Sequence, residues 1–141
     1  MLFYLVNVDY SRQTGEDNPG KVKETYLVNA PTPSDAERVV LDEIKPFIFE
    51  DCTTTKIQKV QFFEVFNAEK SSGVSWYKAK VELITIEGDK ELRNKVSILV
   101  QSDGEAIDSA LMRLQNNLTS YDCEILSIAK TPIIDILKME D

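Results

Sequence analysis

Hydrophobic and polar residues alternate along two well-separated segments of the chain. Residues 3–10 and 76–83 both have the period of two that is typical of a half-buried β-strand. Each half of the chain is therefore predicted to open with a strand that packs one face against a core. The residues predicted to share this face are Tyr4, Val6, Val8 and Tyr10 in the first segment and Tyr77, Ala79, Val81 and Leu83 in the second.

Each opening strand leads into a segment rich in turn residues and then into a second strand. In the first half the turn is a long loop over residues 14–20, and in the second it is the tighter Glu87-Gly88-Asp89. Glycine, asparagine, aspartate and proline favour the backbone conformations that turns require. The return strands are expected at residues 26–30 and 98–102, so that each half begins with a β-hairpin.

Both halves then show the same signals for the start of a helix. Thr32 is followed by Pro33 and by an acid at Asp35, while Ser102 is followed by Glu105 at the same spacing. A hydroxyl at the N-cap can accept a hydrogen bond from a free backbone N–H, and an acid nearby favours the positive helix end. The first helix should end near Pro46. The predicted buried stripes are Ala36, Val39, Val40 and Ile44 in the first helix and Ala106, Ala110, Leu111, Leu114 and Leu118 in the second.

A third strand closes each half, at residues 55–63 and 123–128, and each is followed by an acid and two apolar residues. These acids, Glu64 and Asp135, fit either the solvated end of a strand or a pseudo-symmetric contact better than a paired-carboxylate site. The order of matching features predicts an α+β fold made by tandem duplication of a ββαβ unit. We expect residues 1–66 and 76–141 to form the two units, joined by a polar linker at 67–75 and packed as one compact domain. Each antiparallel sheet would be covered by one helix, with pseudo-twofold symmetry between the units.

Composition limits the chemistry that this chain can perform. The 141 residues are 43% hydrophobic and 28% charged, with a net charge of −8 and no histidine. The usual general base near neutral pH and the commonest metal ligand are therefore missing. Cys52 and Cys123 are far apart and do not have the spacing of a metal site. Packed thiols are the expectation, because free cysteines are commonly buried, and a disulfide between the two halves is the alternative. We accordingly predict no enzyme activity, no catalytic or metal-binding residues and no cofactor.

The apolar N-terminal run is too short for a signal sequence, and no stretch reaches the roughly 20 apolar residues of a membrane span. The sequence therefore favours a cytoplasmic protein with no membrane partner.

Several of these segments together resemble an uncharacterised domain family found in Bacteroidales chromosomes and in their phages, including crAss-like phages. The resemblance lies in residues 76–81, 99–102, 105–106 and 124–135, with further matches at 26–28 and 46–48. It covers essentially the whole chain. It implies a bacterial or phage cytoplasm but brings no activity and no catalytic residues with it.

The strand faces opposite the predicted core suggest a binding surface. Aromatic side chains interleaved with lysine and arginine on an open sheet are what single-stranded nucleic-acid binders use, because rings stack on bases and cations neutralise phosphates. The same lysines would also suit an ordinary solvated face, and the aromatics could instead be buried. The candidate nucleic-acid-binding residues are Phe3, Lys21, Lys23, Trp76, Lys78, Lys80, Arg93 and Lys95.

Two functions from different classes follow from the sequence. The leading hypothesis is a non-catalytic module that binds single-stranded nucleic acid in phage or bacterial DNA metabolism. The alternative is a protein-interaction adaptor or inhibitor of a host or phage machine, acting through an acidic surface. The net charge of −8 opposes nucleic-acid binding at long range, so affinity for a polyanion would have to be local and salt-sensitive.

Overall fold

The computed structural model describes residues 2–12, 20–68, 73–103 and 107–140. Over these residues the chain is a mixed α+β protein with two four-stranded sheets and two α-helices, which confirms the predicted class. The first half contains β1 (Leu2–Arg12), β2 (Gly20–Asn29), α1 (Pro33–Ile44), a single 3₁₀ turn (Lys45–Phe47), β3 (Ile48–Gln61) and β4 (Glu64–Phe66). The second half contains β5 (Gly73–Glu87), β6 (Lys90–Asp103), α2 (Ile107–Asn117), β7 (Cys123–Lys130) and β8 (Ile133–Lys138).

The first sheet has the strand order β3-β1-β2-β8. β1 and β2 are antiparallel, with Val6 opposite Tyr26 and Leu5 opposite Leu27. The core of this sheet lies on the face of β1 that the alternation predicted, and α1 contributes its apolar stripe to it. The fully or almost fully buried members of this core are Tyr4, Val6, Val8, Tyr10, Tyr26, Val28, Ala36, Val40 and Ile44.

The second sheet has the order β4-β6-β5-β7. β5 is antiparallel to both of its neighbours, so it is the strand with a partner on each side over most of its length. Its core again lies on the predicted face, under α2. The buried members are Tyr77, Ala79, Val81, Ile98, Val100, Ala110, Leu114 and Leu118.

The two sheets have the same arrangement of strands. In each, the first strand of one sequence half lies between the second and third strands, and a short fourth strand from the other half pairs with the second strand in parallel. The acids that recur in sequence occupy equivalent register positions, since Glu64 lies opposite Ile98 and Asp135 lies opposite Tyr26. The expectation of purely antiparallel sheets was therefore wrong: each sheet contains one parallel pair, because its fourth strand arrives from the other half of the chain.

This exchange of strands also sets the compact units of the structure. One unit comprises residues 61–131, and the other comprises residues 2–60 with 132–141. The predicted units at 1–66 and 76–141 follow the sequence repeat instead. β4 belongs to the first repeat by sequence but pairs in the second sheet, and β8 belongs to the second repeat but pairs in the first sheet. Of the predicted linker at 67–75, residues 69–72 lie outside the described residues.

The start of α1 follows its sequence signals. The Thr32 Oγ1 accepts a hydrogen bond from the Asp35 backbone N–H at 3.1 Å and donates to the Asp35 carboxylate at 2.8 Å. Pro33 is the first helical residue. The helix ends at Ile44, and the 3₁₀ turn that follows contains Pro46. The predicted cap of α2 involves residues 104–106, which lie outside the described residues. Neither described helix is long and apolar enough to cross a membrane.

The predicted tight turn between β5 and β6 is present. Gly88 has a φ of +64°, and Glu87 pairs with Lys90 across it. A glycine at the first central position is what a type II′ hairpin turn requires, because that position needs a positive φ. The long loop predicted between β1 and β2 falls mostly on residues 13–19, which lie outside the described residues.

Candidate functional site

A cavity of about 430 Å³ lies at the end of the β1–β2 hairpin that contains residues 9–11 and 21–23, beside the start of β3. The strand register brings its polar side chains together, since Asp9 lies opposite Lys23 and Ser11 lies opposite Lys21. Residues directly opposite each other in a sheet share one face. The cavity is lined by Asp9, Tyr10, Ser11, Lys21, Val22, Lys23, Glu50 and Asp51.

The lining carries mixed charge with an excess of carboxylates. Asp9, Glu50 and Asp51 supply three acids, against the two cations Lys21 and Lys23. Among the described residues, neither lysine forms an ion pair within 4 Å. A concave surface with several convergent polar groups is the default candidate for a binding site. This lining suits a ligand that carries positive charge, with the lysines available for its acidic or carbonyl groups.

A polar network lies on the opposite, helix-facing side of the same strands. The Glu24 carboxylate accepts hydrogen bonds from the Tyr10 hydroxyl at 2.6 Å, the Tyr26 hydroxyl at 3.1 Å and the Arg12 guanidinium at 3.1 Å. The guanidinium of Arg12 also lies 4.6 Å from the centre of the Phe47 ring, which is a cation–π distance. The network fixes the end of the β1–β2 hairpin beside the cavity, because it joins both strands through one carboxylate.

The network changes the ionisation of its tyrosines. Burial, together with the neighbouring Glu24 carboxylate, raises the pKa of Tyr10 to about 12. The same causes raise the pKa of Tyr26 further above its ordinary value. Both hydroxyls therefore remain protonated donors to Glu24 throughout the neutral range.

The two aromatic residues that were predicted to stack on bases are buried. Phe3 and Trp76 each have a relative exposure of only 4%. The backbone carbonyl of Trp76 accepts hydrogen bonds from the N–H and the hydroxyl of Thr131, both at 2.9 Å. In this structure neither ring presents a face to solvent, so neither is placed to stack on a base.

The predicted cations are exposed but lie on two different sheets. Lys21 and Lys23 lie on the first sheet, in the cavity. Lys78, Lys80 and Lys95 are exposed on the second sheet, on the face opposite α2 as predicted. The candidate lysines are therefore divided between the cavity of the first sheet and the exposed face of the second sheet.

Arg93 also lies on the second sheet but is surrounded by acids. Its guanidinium is 2.8 Å from Glu82, 3.1 Å from Glu91 and 3.8 Å from Glu124. The hydrogen bond that Arg93 donates to Glu82 and the charge of Glu91 raise the pKa of Arg93 above its ordinary value. Arg93 is thus paired with acids of its own chain, so it is a weaker candidate for a phosphate contact than the exposed lysines.

Sequence reasoning missed the acidic side of the cavity. β3 begins at Ile48, directly after the 3₁₀ turn, whereas the pattern placed its start at Thr55. The sequence pattern therefore leaves Glu50 and Asp51 outside any predicted strand. The residues around them, such as Phe49, are exposed and do not alternate cleanly, so the sequence offers only the acidic pair itself as a signal.

The two thiols are free, and each is half-buried against the core of its own sheet. Burial raises the pKa of Cys52, with further contributions from Glu37 and Asp9. A thiol with a raised pKa is rarely ionised near neutral pH and is a poor nucleophile.

Comparison with known families matches nearly the whole chain to one family. The match is to the family described as Domain of unknown function (DUF4494), and it extends over residues 2–139. The chain belongs to this family. No curated protein matches the sequence. Membership in the DUF4494 family confirms the predicted resemblance to an uncharacterised domain family, and it brings no activity, ligand or site residues.

Proposed function

We propose that this DUF4494 protein is a non-catalytic binding module whose ligand is a protein segment rich in lysine and arginine. The observation that supports it is the cavity at the end of the first hairpin, where carboxylates outnumber lysines. The chain's net charge of −8 would draw a basic partner toward this surface. In the setting implied by the resemblance, the partner is a host or phage protein.

The non-catalytic part of the proposal is supported by the ionisable groups. The chain has no histidine. The groups of Tyr10, Tyr26 and Cys52 all have a raised pKa, which takes them further from the neutral range in which a general base or a thiolate nucleophile works.

Binding of defined probes to the full chain tests the proposal. Fluorescence anisotropy would compare a labelled lysine- and arginine-rich peptide with a labelled oligothymidine, at low and at physiological salt. We expect the peptide to bind the unaltered chain. The triple variant Asp9→Asn, Glu50→Gln, Asp51→Asn should bind the peptide about tenfold more weakly or worse, because the three negative charges of the cavity have been removed.

The matched control is a triple variant with the same charge change at exposed acids that do not line the cavity: Asp42→Asn, Glu43→Gln and Asp122→Asn. Equal weakening by both triple variants would show that only the net charge matters. That result, or no peptide binding at low salt, would overturn the assignment of the cavity.

Single-stranded nucleic acid is the second candidate ligand. It is favoured by Lys78, Lys80 and Lys95, which are exposed on one face of the second sheet. Backbone neutralisation by these lysines would give salt-sensitive binding without base stacking by Trp76. Oligothymidine binding that is lost in the variant Lys78→Ala, Lys80→Ala, Lys95→Ala, but kept when Lys45, Lys56 and Lys59 are replaced by alanine, would establish it.

We also infer that the two sheets descend from duplication of one ββαβ unit. The shared strand order, the equivalent registers of Glu64 and Asp135, and the repeated sequence signals at Thr32 and Ser102 support this inference. The setting in a bacterial or phage cytoplasm is part of the same proposal and depends on the sequence resemblance alone.

A further inference from the structure

One edge of β6 has no neighbouring strand along its first half, which directly follows the β5–β6 turn. On the side away from β5, β4 pairs only with Ile98, Leu99 and Val100. In the part of the chain that the structure describes, no strand pairs with that side of β6 from Lys90 to Val96. All six residues from Lys90 to Lys95 are exposed.

The backbone groups on this open edge can be identified from the strand's alternation. The Ser97 carbonyl points away from β5, because it accepts a hydrogen bond from the Phe63 N–H at 2.8 Å. Successive residues of an antiparallel strand direct their N–H and C=O groups to opposite sides. The register with β5 is continuous from Ser97 to Lys90. Glu91, Arg93 and Lys95 therefore direct their N–H and C=O groups toward solvent.

The charges on this edge are arranged antisymmetrically about Leu92. Asp89 and Glu91 precede it, and Arg93 and Lys95 follow it at the same spacings. If the edge pairs antiparallel with an identical edge about a twofold axis at Leu92, Glu91 of each copy lies opposite Arg93 of the other. Asp89, in the turn directly before β6, then lies near Lys95, and Leu92 lies opposite its own copy. Every acid in this pairing meets a cation, and no like charges meet.

The directions of the backbone groups on β6 fit the hydrogen bonds that this pairing requires. Glu91 and Arg93 both direct their backbone groups outward, so each Glu91–Arg93 pair would be a hydrogen-bonded one. Leu92 would form the closer, non-hydrogen-bonded pair at the axis, where side chains approach most. Its side chain is 40% exposed, so apolar surface is available for burial at the axis.

We propose that β6 is a self-complementary edge that pairs with β6 of a second copy and continues the second sheet across a homodimer. Charged residues on an edge strand ordinarily prevent such pairing. Here the acids Asp89 and Glu91 meet the cations Lys95 and Arg93 of the partner copy, and Lys90 meets the uncharged Asn94. Glu91 and Arg93, which pair within one chain, would exchange that contact for the same contact between copies. The same residues therefore select a second copy of this chain over other strands.

The equivalent edge of the first sheet provides an internal contrast. β2 is likewise uncovered by β8 before Thr25, and its cations Lys21 and Lys23 correspond in position to Arg93 and Lys95. The position that corresponds to Glu91, however, is occupied by Pro19, which has neither a negative charge nor a backbone N–H. The central charge pair therefore has no counterpart there, and the full antisymmetric pattern is confined to β6.

Sedimentation velocity over a range of concentrations tests the proposal with charge-reversed chains. The unaltered chain should form a concentration-dependent dimer. In Glu91→Arg the introduced arginine would lie opposite Arg93 of the other copy, and in Arg93→Glu the introduced glutamate would lie opposite Glu91. Each variant alone should therefore dimerise about tenfold more weakly or worse. When the two variants are mixed, every pair becomes opposite in charge again, and a heterodimer should form.

Two further variants complete the test. The double variant Glu91→Arg, Arg93→Glu keeps the pairing complementary and should dimerise as the unaltered chain does, while Glu43→Arg on α1 should change nothing. The proposal is overturned if the unaltered chain is monomeric at every concentration, if the single reversals leave dimerisation intact, or if mixing them fails to restore it.

Discussion

At the scale of single residues, Glu24 organises the end of the first hairpin. It accepts hydrogen bonds from Tyr10, Tyr26 and Arg12, and its side chain is only 11% exposed. A carboxylate this buried is tolerated because its oxygens are satisfied by two hydroxyls and a guanidinium. Removing the Glu24 carboxylate leaves the Tyr10 and Tyr26 hydroxyls without this acceptor in a region that water reaches poorly.

The raised tyrosine pKa values predict how stability changes at alkaline pH. Tyr10 has a folded-state pKa of about 12, above its ordinary value of 10.0, and the pKa of Tyr26 is raised as well. Stability from these groups is fully present below pH 10 and is lost as the pH rises toward 12 and beyond, because the unfolded state releases the protons first.

Ultraviolet absorbance of tyrosinate during an alkaline titration checks this prediction. In the folded chain we expect two tyrosines to ionise late, and Glu24→Gln should bring both closer to the ordinary value because the carboxylate charge is gone. Glu43→Gln on α1 removes a carboxylate that lies outside the network, so it is the control and should leave the late phase unchanged. Ordinary titration of Tyr10 and Tyr26 would contradict the network.

Trp76 is the single tryptophan of the chain, so its fluorescence reports on one site. Because its exposure is 4%, we expect emission typical of a buried indole and weak quenching by acrylamide. Adding oligothymidine should leave the emission unchanged. Quenching by the oligonucleotide at low salt would show that the ring becomes accessible and would return Trp76 to the nucleic-acid site.

At the scale of the elements, local signals in the sequence account for most of what forms. Thr32, Pro33 and Asp35 predicted the start of α1, and the alternation in β1 and β5 predicted which face of each strand is buried, because both signals depend on nearby residues. The pairing of β4 with β6 and of β8 with β2 was not predicted. A parallel partner comes from distant sequence, and a three-residue strand such as β4 has too few positions to carry a pattern.

The candidate site was predicted only in part, for the same reason. Lys21 and Lys23 were identified on the correct face of β2 because strand alternation fixes that face. Glu50 and Asp51 reach them through the placement of β3 beside β1, which the sequence pattern did not reveal. The burial of Phe3 and Trp76 is likewise a tertiary property, since alternation gives the face of a residue but not what covers that face.

The Thr32 cap is predicted to stabilise the chain measurably. Thr32→Ala removes the acceptor for the Asp35 N–H and should lower the free energy of unfolding by about 1 kcal/mol. Thr32→Ser keeps the hydroxyl and should recover most of that loss. Thermal and urea denaturation measure both. Equal stability of the alanine variant and the unaltered chain would show that the cap is not used in solution.

Arg113 is predicted to hold the end of β4 beside β6. Its guanidinium donates to the Gln101 carbonyl at 3.0 Å, to the Asn67 carbonyl at 3.3 Å and to the Asp103 carboxylate at 2.6 Å. Lysine lacks the planar fork that makes three such bonds at once. Arg113→Lys should therefore lower the free energy of unfolding by about 1–2 kcal/mol and speed amide exchange in Glu64–Phe66.

Arg38→Lys is the matched control for this substitution. The ion pair of Arg38 with Asp35 is exposed and lies within α1, so its contribution should be below about 0.5 kcal/mol. If both substitutions cost the same and exchange in β4 does not change, Arg113 does not hold that strand.

At the scale of the whole molecule, the chain carries two sheets with the same strand arrangement but different exposed surfaces. On the first sheet the strand ends form a cavity with excess acid. On the second, the corresponding cation Arg93 forms ion pairs with three glutamates, while Lys78, Lys80 and Lys95 remain exposed. This difference between the two surfaces is the basis for proposing a separate ligand for each sheet.

The central claim is that the acidic cavity of the first sheet binds a basic protein segment. Nuclear magnetic resonance titration of the labelled full chain tests it most directly, with the lysine- and arginine-rich peptide and oligothymidine added in separate experiments. We expect the peptide to shift amide signals of residues 9–11, 21–23 and 50–51, leaving the Trp76 indole unmoved. Shifts confined to Lys78, Lys80 and Lys95 on adding oligothymidine, with none at the cavity from the peptide, would contradict it.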